Sequence, residues 1–331
     1  MSYTTPGYED MELSTQLLIR EALERGHRVE VLDRGESFIR VTGNHRVEFI
    51  RQATRTSADT YIAPLIMENK QVTKQLLWEA GIRVPEGCAF DSELEMNQAW
   101  SKWRDRAFVI KPNATNFGRA VSMFPTGADK NAFGRAVRSA FAADSQVLLE
   151  ALIPGKEFRF LVIGDFVRAV LHRVPANVVG DGVSSIGALV EEKNRDPLRQ
   201  KGYISPLEKL GLGPVEETFL AAHNRTFESV PKRGETVYLR ENSNISTGGD
   251  SIDFTDQVHA GYKDLAFAAA SAVGARISGV DLIASDITAQ PDDTNYAIIE
   301  LNFNPALHIH DFPFKGENRR TGRHVLNLLG L

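Results

Sequence analysis

Residues 277–305 read ISGVDLIASDI, then TAQPDDTN, then YAIIELNFNP. The outer pieces are rich in Val, Ile, Leu, Phe and Tyr, and Pro291, Asp292 and Asp293 supply turn chemistry between them. The stretch therefore predicts two strands and a polar connector. Side chains alternate along a strand, so Glu300 and Asn302 share one face while Ile299, Leu301 and Phe303 take the other. If the strands pair as a hairpin, Asp281 can face the same side as Glu300 and Asn302. Two carboxylates and an amide carbonyl would then converge on one patch, a set of hard oxygen ligands suited to Mg²⁺. The same residues also fit ordinary polar positions on the solvated face of an antiparallel sheet. The rest of the chain has to decide.

At 331 residues the chain suits two or three lobes. Its 42% hydrophobic and 24% charged content is that of a soluble globular protein. The formal net charge of -5 argues against a nucleic-acid partner. No apolar run approaches the roughly 20 residues that span a bilayer, and MSYTTPGYED lacks a signal-peptide layout, so no membrane partner is expected. Cys88 is the only cysteine, which excludes an internal disulfide and points to a reducing, cytoplasmic compartment.

Residues 9–25 read as a helix, followed by short strands near 29–32, 38–41 and 48–53 and a turn-rich passage to Pro64. Residues 69–80, NKQVTKQLLWEA, predict a helix with Lys70 and Lys74 on one face. Such a pair is usually just solvated charge. AFVIKP (107–112) is an apolar strand that ends on Lys111 before the loop NATNFGR (113–119). A strand-end lysine and a glycine-containing loop can offer charge and backbone N–H groups to phosphates, though any hairpin loop can carry Asn and Gly. There is no GxxxxGK[ST] and no GxGxxG after a strand, which removes the P-loop and dinucleotide-binding readings. QVLLE (146–150) and the hairpin EFRFLVI and FVRAVLHR (157–163 and 166–173) follow. From Pro175 turn residues dominate, and 178–210 reads as a surface excursion of the kind that forms lids, with a short helix at 186–194 capped by Ser184 or Ser185, then a second short helix at 219–227 and a strand at 236–239. RENSNISTGGDSIDFTD (240–256) is a dense polar loop that precedes a helix at 258–273 and then the carboxylate strands.

These parts, in this order, resemble the ATP-grasp carboxylate–amine ligases over nearly the whole chain. The resemblance is carried by NKQVTKQLLWEAGIRVP, VIKP, NATNFGRAVS, LLEALIPGKEFRF, GVD and ELNFNP. VVGDGVSSIGALVEEKNRDPLR and LRENSNISTGGDSIDFTD are similar to the branch containing cyanophycin synthetase and the glutathione-synthetase half of the fused bacterial glutathione-making enzyme. The opening GYEDMELSTQ and the ending FNPALHIHDFPFKGENRRTG are closer to the latter. The resemblance implies an α+β, ATP-grasp fold with two α+β lobes clasping ATP and a reduced N-terminal α/β unit. The lobes would be residues 1–68 (N-terminal unit), 69–154 (small lobe with the phosphate loop) and 155–331 (large lobe with the metal site and lid excursion). It implies as well that ATP phosphorylates a carboxylate, which an amine then attacks. Phosphorylation supplies the leaving group that a carboxylate lacks.

Carried over position by position, the resemblance makes Asp281, Glu300 and Asn302 ligands to two Mg²⁺ ions, with Mn²⁺ as a substitute. Lys111, with Lys74 or Lys70, would contact the ATP phosphates. Asn116, Phe117, Gly118 and Arg119 would close over the γ-phosphate. Glu150, Leu152 and Ile153 would form the adenine hinge, and Glu157 would bind the ribose. Arg240 would act with Lys111 in catalysis and anchor the acid, with Arg168, Arg173 and Asn304 as further substrate contacts. His308 and His310 alternate past Pro305 and could line the amine pocket or be merely structural. Many family members carry an arginine two residues before the metal aspartate; here that residue is Gly279, and the role passes to Arg240. The fused enzyme carries a glutamate–cysteine ligase upstream, which this sequence lacks, so that activity is expected from another chain.

The expected reaction is γ-glutamylcysteine plus glycine plus ATP giving glutathione, ADP and phosphate. A stand-alone ligase for another amino acid or peptide, cyanophycin-like, is the alternative within the same chemistry. A catalytically silent nucleotide-binding protein is the alternative outside it, and the intact set Lys111, Glu157, Arg240, Asp281, Glu300 and Asn302 argues against silence. The substrates are small molecules, and a homodimer is the default for a soluble enzyme.

Overall fold

A computed structural model of the chain describes residues 2–43, 45–115 and 118–331. By contacts the chain falls into two units, each assembled from separated segments. The first comprises Met1–Ala58, Glu157–Gln257 and Asn304–Leu331, and the second Asp59–Lys156 and Val258–Phe303. The lobes read from the sequence are consecutive; these units interleave.

In the first unit the helix Leu13–Glu24 begins at Glu12, whose carboxylate accepts from the Ser14 and Thr15 amides and satisfies orphan donors of the first turn. Its buried face, with Leu17, Leu18 and Ile19, packs against the C-terminal helix Thr321–Leu329. The strands Arg28–Asp33, Phe38–Thr42 and Val47–Arg51 form an antiparallel meander. The hairpin Lys156–Ile163 and Phe166–Val174 turns at Gly164, whose φ of +68° suits glycine, and Asp250–Asp253 pairs antiparallel with its second strand.

The segment from Pro175 is more than an excursion. Asn177–Val179 pairs with Thr236–Tyr238, and the helices Ile186–Lys193 and Pro214–Ala222 pack with them. Val178, Ile186, Val190, Leu210, Leu220, Val237 and Leu239 form a local apolar core. Each such side chain contributes roughly 1.5–3 kcal/mol on burial. The core escaped a linear reading because its members come singly from short, separated elements.

In the second unit the strands Gly87–Phe90, Val147–Ala151, Phe108–Pro112 and Ser122–Phe124 form an antiparallel sheet in that spatial order. The helix Lys130–Phe141, capped by Asp129, covers one face through Phe133 and Val137. The turn-rich passage expected to run to Pro64 ends instead in the helix Ile62–Glu68. Pro64 is tolerated there because an N–H in the first turn has no intrahelical acceptor. The next helix, Lys70–Glu79, starts from Asn69, whose side chain accepts from the Val72 amide at 3.1 Å.

Ile277–Ala284 and Tyr296–Asn302 pair antiparallel, with Asp281 opposite Glu300 and Gly279 opposite Asn302. The register then slips, placing Leu282 opposite Ile298 and leaving Ile299 as the extra residue of a bulge. Bulges redirect side chains, and this one sits beside the carboxylates. The helices Ile62–Glu68 and Lys70–Glu79 pack on Tyr296–Asn302, so the hairpin is not a solvated sheet face. Asp281 is only 2% exposed.

Candidate active site

The second unit gathers three lysines and three carboxylates. Lys74 and Lys111 both point at Glu150: Lys111 Nζ lies 2.9 Å from Oε2, and Lys74 pairs with Oε1. Strand register explains the meeting. Lys111 is opposite Leu148, so Glu150 is its diagonal neighbour on the same face, within reach of a long side chain. Lys74 comes from the helix above. Burial alone would push the Glu150 carboxyl up, but the Lys111 and Lys74 ammoniums hold it below the usual carboxylate range. Burial, then the Lys111 charge, pulls Lys74 down to about 7.

Lys70, one turn earlier on the same helix face, reaches a different place. Its Nζ donates to the carbonyls of Asn113 at 3.2 Å and Thr115 at 2.7 Å, and lies 3.6 Å from Glu300 Oε1. Burial lowers its pKa. Asn113 roots the loop that follows Lys111. Its Oδ1 accepts from the Gln71 amide at 2.9 Å, and its Nδ2 donates to Asn69 at 3.0 Å and Gln146 at 2.8 Å. The sequence reading gave Asn113 no role; a buried amide bridging two elements has no signature in one dimension. Further along, Gly118 has a φ of +70° and Arg119 is exposed. Asn116 and Phe117 lie outside the described residues.

Asp281 and Glu300 face each other across the hairpin, and Asn302 Nδ2 donates to Asp281 Oδ2 at 3.3 Å. Like charges directly opposite destabilise a strand pair. A divalent cation there would remove that repulsion, and two carboxylates with an amide oxygen leave positions for water and phosphate, as Mg²⁺ requires. Among the described residues no group of three or more His, Cys, Asp or Glu side chains could hold a metal ion. The fit therefore rests on Asn302 and on ligands brought by a substrate.

Of Leu152 and Ile153, expected at an adenine hinge, Leu152 donates its N–H to Ala107 O at 3.1 Å.

The first unit holds the other assigned residues. Glu157 and Arg173 are cross-strand partners, with Nη1 to Oε1 at 2.7 Å, and Ser243 donates to the other oxygen. Arg173 Nη2 also donates to Asn244 Oδ1 at 2.7 Å. Arg173, expected to anchor a substrate carboxylate, thus already holds a carboxylate of the protein. Arg240 is likewise engaged: its Nε and Nη2 both lie 2.6 Å from Oε1 of the buried Glu216. The structure does not bring Arg168 to Arg173. Arg168 sits five residues away at the turn end of the strand, stacked 4.5 Å over Phe166. It adjoins His324, which burial and Arg168 hold at about 4. Asn304 accepts from Thr54 Oγ1 at 2.6 Å and donates to Gln52 Oε1 at 3.1 Å.

His308 and His310 do not alternate on one side. They open the short helix His308–Asp311, where residues two apart point about 200° from each other. His310 is fully buried, and burial holds it at about 3, an uncharged structural residue. His308 meets Ser14.

A family model described as an ATP-grasp-like domain matches residues 9–62. A solved bifunctional glutathione synthetase from Pasteurella multocida superposes with a TM-score of 0.78 and 42% identity, covering 99% of this chain and 45% of that one. The chain has an ATP-grasp fold. The chain is also similar in sequence to proteins named glutathione biosynthesis bifunctional protein GshAB. The one from Clostridium perfringens is 53% identical over 98% of this chain and 42% of its own length. That from Listeria innocua is 48% identical over 99% of this chain and 42% of its own length. The chain thus spans about two fifths of the length of the curated relatives it matches. Among the described residues no helix is long and apolar enough to cross a membrane.

Proposed function

We propose that the chain is an ATP-dependent carboxylate–amine ligase that joins γ-glutamylcysteine to glycine. The observation that carries this reading is the second unit's cluster: Lys74 and Lys111 on one buried carboxylate, with an acidic hairpin beside Lys70. Cations of this kind receive phosphates, and the opposed Asp281 and Glu300 call for a metal. The relatives' names, at about half identity over the whole chain, support glutathione as the product.

In this reading Lys74 and Lys111 bind the ATP phosphates, moving from Glu150 onto the nucleotide. Asn116, Phe117, Gly118 and Arg119 close over the γ-phosphate, and Asn113 fixes the root of that loop. Ile153 and Leu152 border the adenine, and Glu157, oriented by Arg173 and Ser243, accepts from the ribose. Asp281, Glu300 and Asn302 hold two Mg²⁺ ions, for which Mn²⁺ can substitute. Bound there, magnesium neutralises charge on the transferring phosphoryl group. Arg240, positioned by Glu216, stabilises the phosphorylated acid; Arg168, at the far end of its strand, has no support as a substrate anchor.

The lobes of the resemblance, 1–68, 69–154 and 155–331, are the corresponding functional division. The enzyme works in the cytoplasm on small molecules, as a homodimer. ADP formation dependent on both γ-glutamylcysteine and glycine tests the reading; a protein that forms ADP with neither this pair nor other acid–amine pairs is not a ligase.

A further inference from the structure

The acceptors around the three clustered lysines of the second unit divide them into two kinds. Lys74 and Lys111 share the one carboxylate of Glu150, and two ammoniums with three N–H groups each have donors to spare for a nucleotide. Lys70, one helical turn before Lys74, has its donors committed. Its Nζ donates to Thr115 O at 2.7 Å and to Asn113 O at 3.2 Å, and Glu300 Oε1 lies 3.6 Å away for the third N–H. The residue is only 8% exposed, so these protein acceptors, rather than solvent, satisfy the ammonium.

This one nitrogen joins two parts of the site that the chain keeps far apart. Asn113 to Thr115 is the root of the loop after Lys111. Its amides are spent on the turn before Val147: Asn113 N–H donates to Gln146 O at 3.0 Å and Ala114 N–H to Asp144 Oδ2 at 2.6 Å. Its carbonyls at Asn113 and Thr115 go to Lys70, so the carbonyl side of the loop root is held by a single ammonium. The other end of the contact is the carboxylate that faces Asp281 across the hairpin.

We propose that Lys70 is a positioning residue rather than a phosphate ligand: it is the protein's own counter-cation for Glu300, and it passes the charge state of the metal carboxylates to the root of the phosphate loop. The inference rests on the metal reading of Asp281, Glu300 and Asn302 and deepens it. Its physical basis is competition. Lys70 and a divalent cation draw on the same carboxylate and repel each other, and burial leaves that repulsion poorly screened. When Lys70 gives up Glu300 it keeps its two carbonyls, so any shift of the ammonium is handed to Asn113 and Thr115 through those bonds. Removing the charge at position 70 therefore favours metal at Glu300 while it uncouples the loop from it.

The test measures binding, and it asks for a gain that a damaged fold cannot imitate. Lys70→Gln removes the charge and keeps an amide donor for the loop carbonyls; Lys70→Arg keeps both charge and donors. Mn²⁺ affinity at saturating ADP, read from the paramagnetic resonance of free Mn²⁺, should rise on the order of tenfold in Lys70→Gln and stay within about twofold of wild type in Lys70→Arg. ADP affinity without metal should move less than about twofold in either variant. Adding Mn²⁺ to the ADP complex should change hydrogen exchange at the Asn113 and Ala114 amides in wild type and leave it unchanged in Lys70→Met, which lacks charge and donors alike. Unchanged or weaker Mn²⁺ binding in Lys70→Gln overturns the competition. Metal-free ADP binding that falls about tenfold makes Lys70 a phosphate ligand and overturns the proposal as well. Loop-root amides indifferent to Mn²⁺ in wild type overturn the coupling. Wild-type protein that binds no Mn²⁺ in the presence of ADP would instead remove the metal reading, and the role of Lys70 with it.

Discussion

Between Lys74 and Lys111 the Glu150 carboxylate meets one ammonium on each oxygen, and the balance depends on a proton held near neutrality. Lys74 sits at about 7 because burial and Lys111 disfavour its charge. A bound nucleotide polyanion would favour that charge and raise the pKa again. Binding above pH 7 should therefore take up as much as one proton, and ATP affinity should fall as pH rises through that region. Calorimetry at pH 8 in two buffers of different ionisation heat measures the uptake, and Lys74→Met should abolish it. No buffer dependence in the wild type would mean that Lys74 stays charged or does not meet the phosphates. Glu300 is the second test at this scale. Loss of residues that merely orient metal ligands costs about 10–100-fold, so Glu300→Gln should lower Mg²⁺-dependent ADP formation by roughly a hundredfold or more. Its circular dichroism should be unchanged, since Glu300 is only partly buried. Near-normal turnover at saturating Mg²⁺ would remove it from the metal site. Lys111 and Glu300 were legible from the sequence because a lone charge in an apolar strand stands out. The pairing of Glu150 with lysines was not: it depends on which residue lies diagonally across a sheet.

Elements with strong local signals were read well. The carboxylate hairpin, the helix read at 69–80 and the strand carrying Lys111 all formed close to where they were read, and the structure adds Asn69 as the helix cap. What failed were elements decided by distant partners. The passage up to Pro64 looked like turn, yet the helix Ile62–Glu68 begins inside it and packs on Tyr296–Asn302. The helix read at 186–194 and the strand read at 236–239 formed, but the segment from Pro175 looked like an excursion because its core residues come from many short pieces. That finding changes what a lid can be. Amides of Ile186–Lys193 and Pro214–Ala222 should be protected from hydrogen exchange without ligand, whereas those at 118–121 should exchange quickly and slow with an ATP analogue. Rapid exchange throughout 178–210 in the free protein would restore the lid excursion. Asn113→Ala removes the amide that ties that loop's root to Gln71, Asn69 and Gln146. It should cost about 1–3 kcal/mol of stability, read as a shift in denaturation midpoint.

At the scale of the molecule, each unit is built from stretches that the chain visits more than once, so neither can be excised as one contiguous segment. Within the second unit, helices from residues 62–79 pack on a strand from 296–302, and their register depends on both. Chemistry distributed in this way is set by the whole chain, and so is specificity. The shared ATP machinery says little about which acid and which amine are joined. The substrate assignment rests instead on the ends of the chain, GYEDMELSTQ and FNPALHIHDFPFKGENRR, which meet at Ser14 and His308 in the first unit. The expected outcome is ADP formation that needs γ-glutamylcysteine and glycine together and stays near background with either alone. Aspartate, arginine and unrelated dipeptides in place of the acid should give far lower kcat/KM. Strong turnover with one of those pairs, and none with γ-glutamylcysteine plus glycine, would leave an ATP-grasp ligase of different specificity.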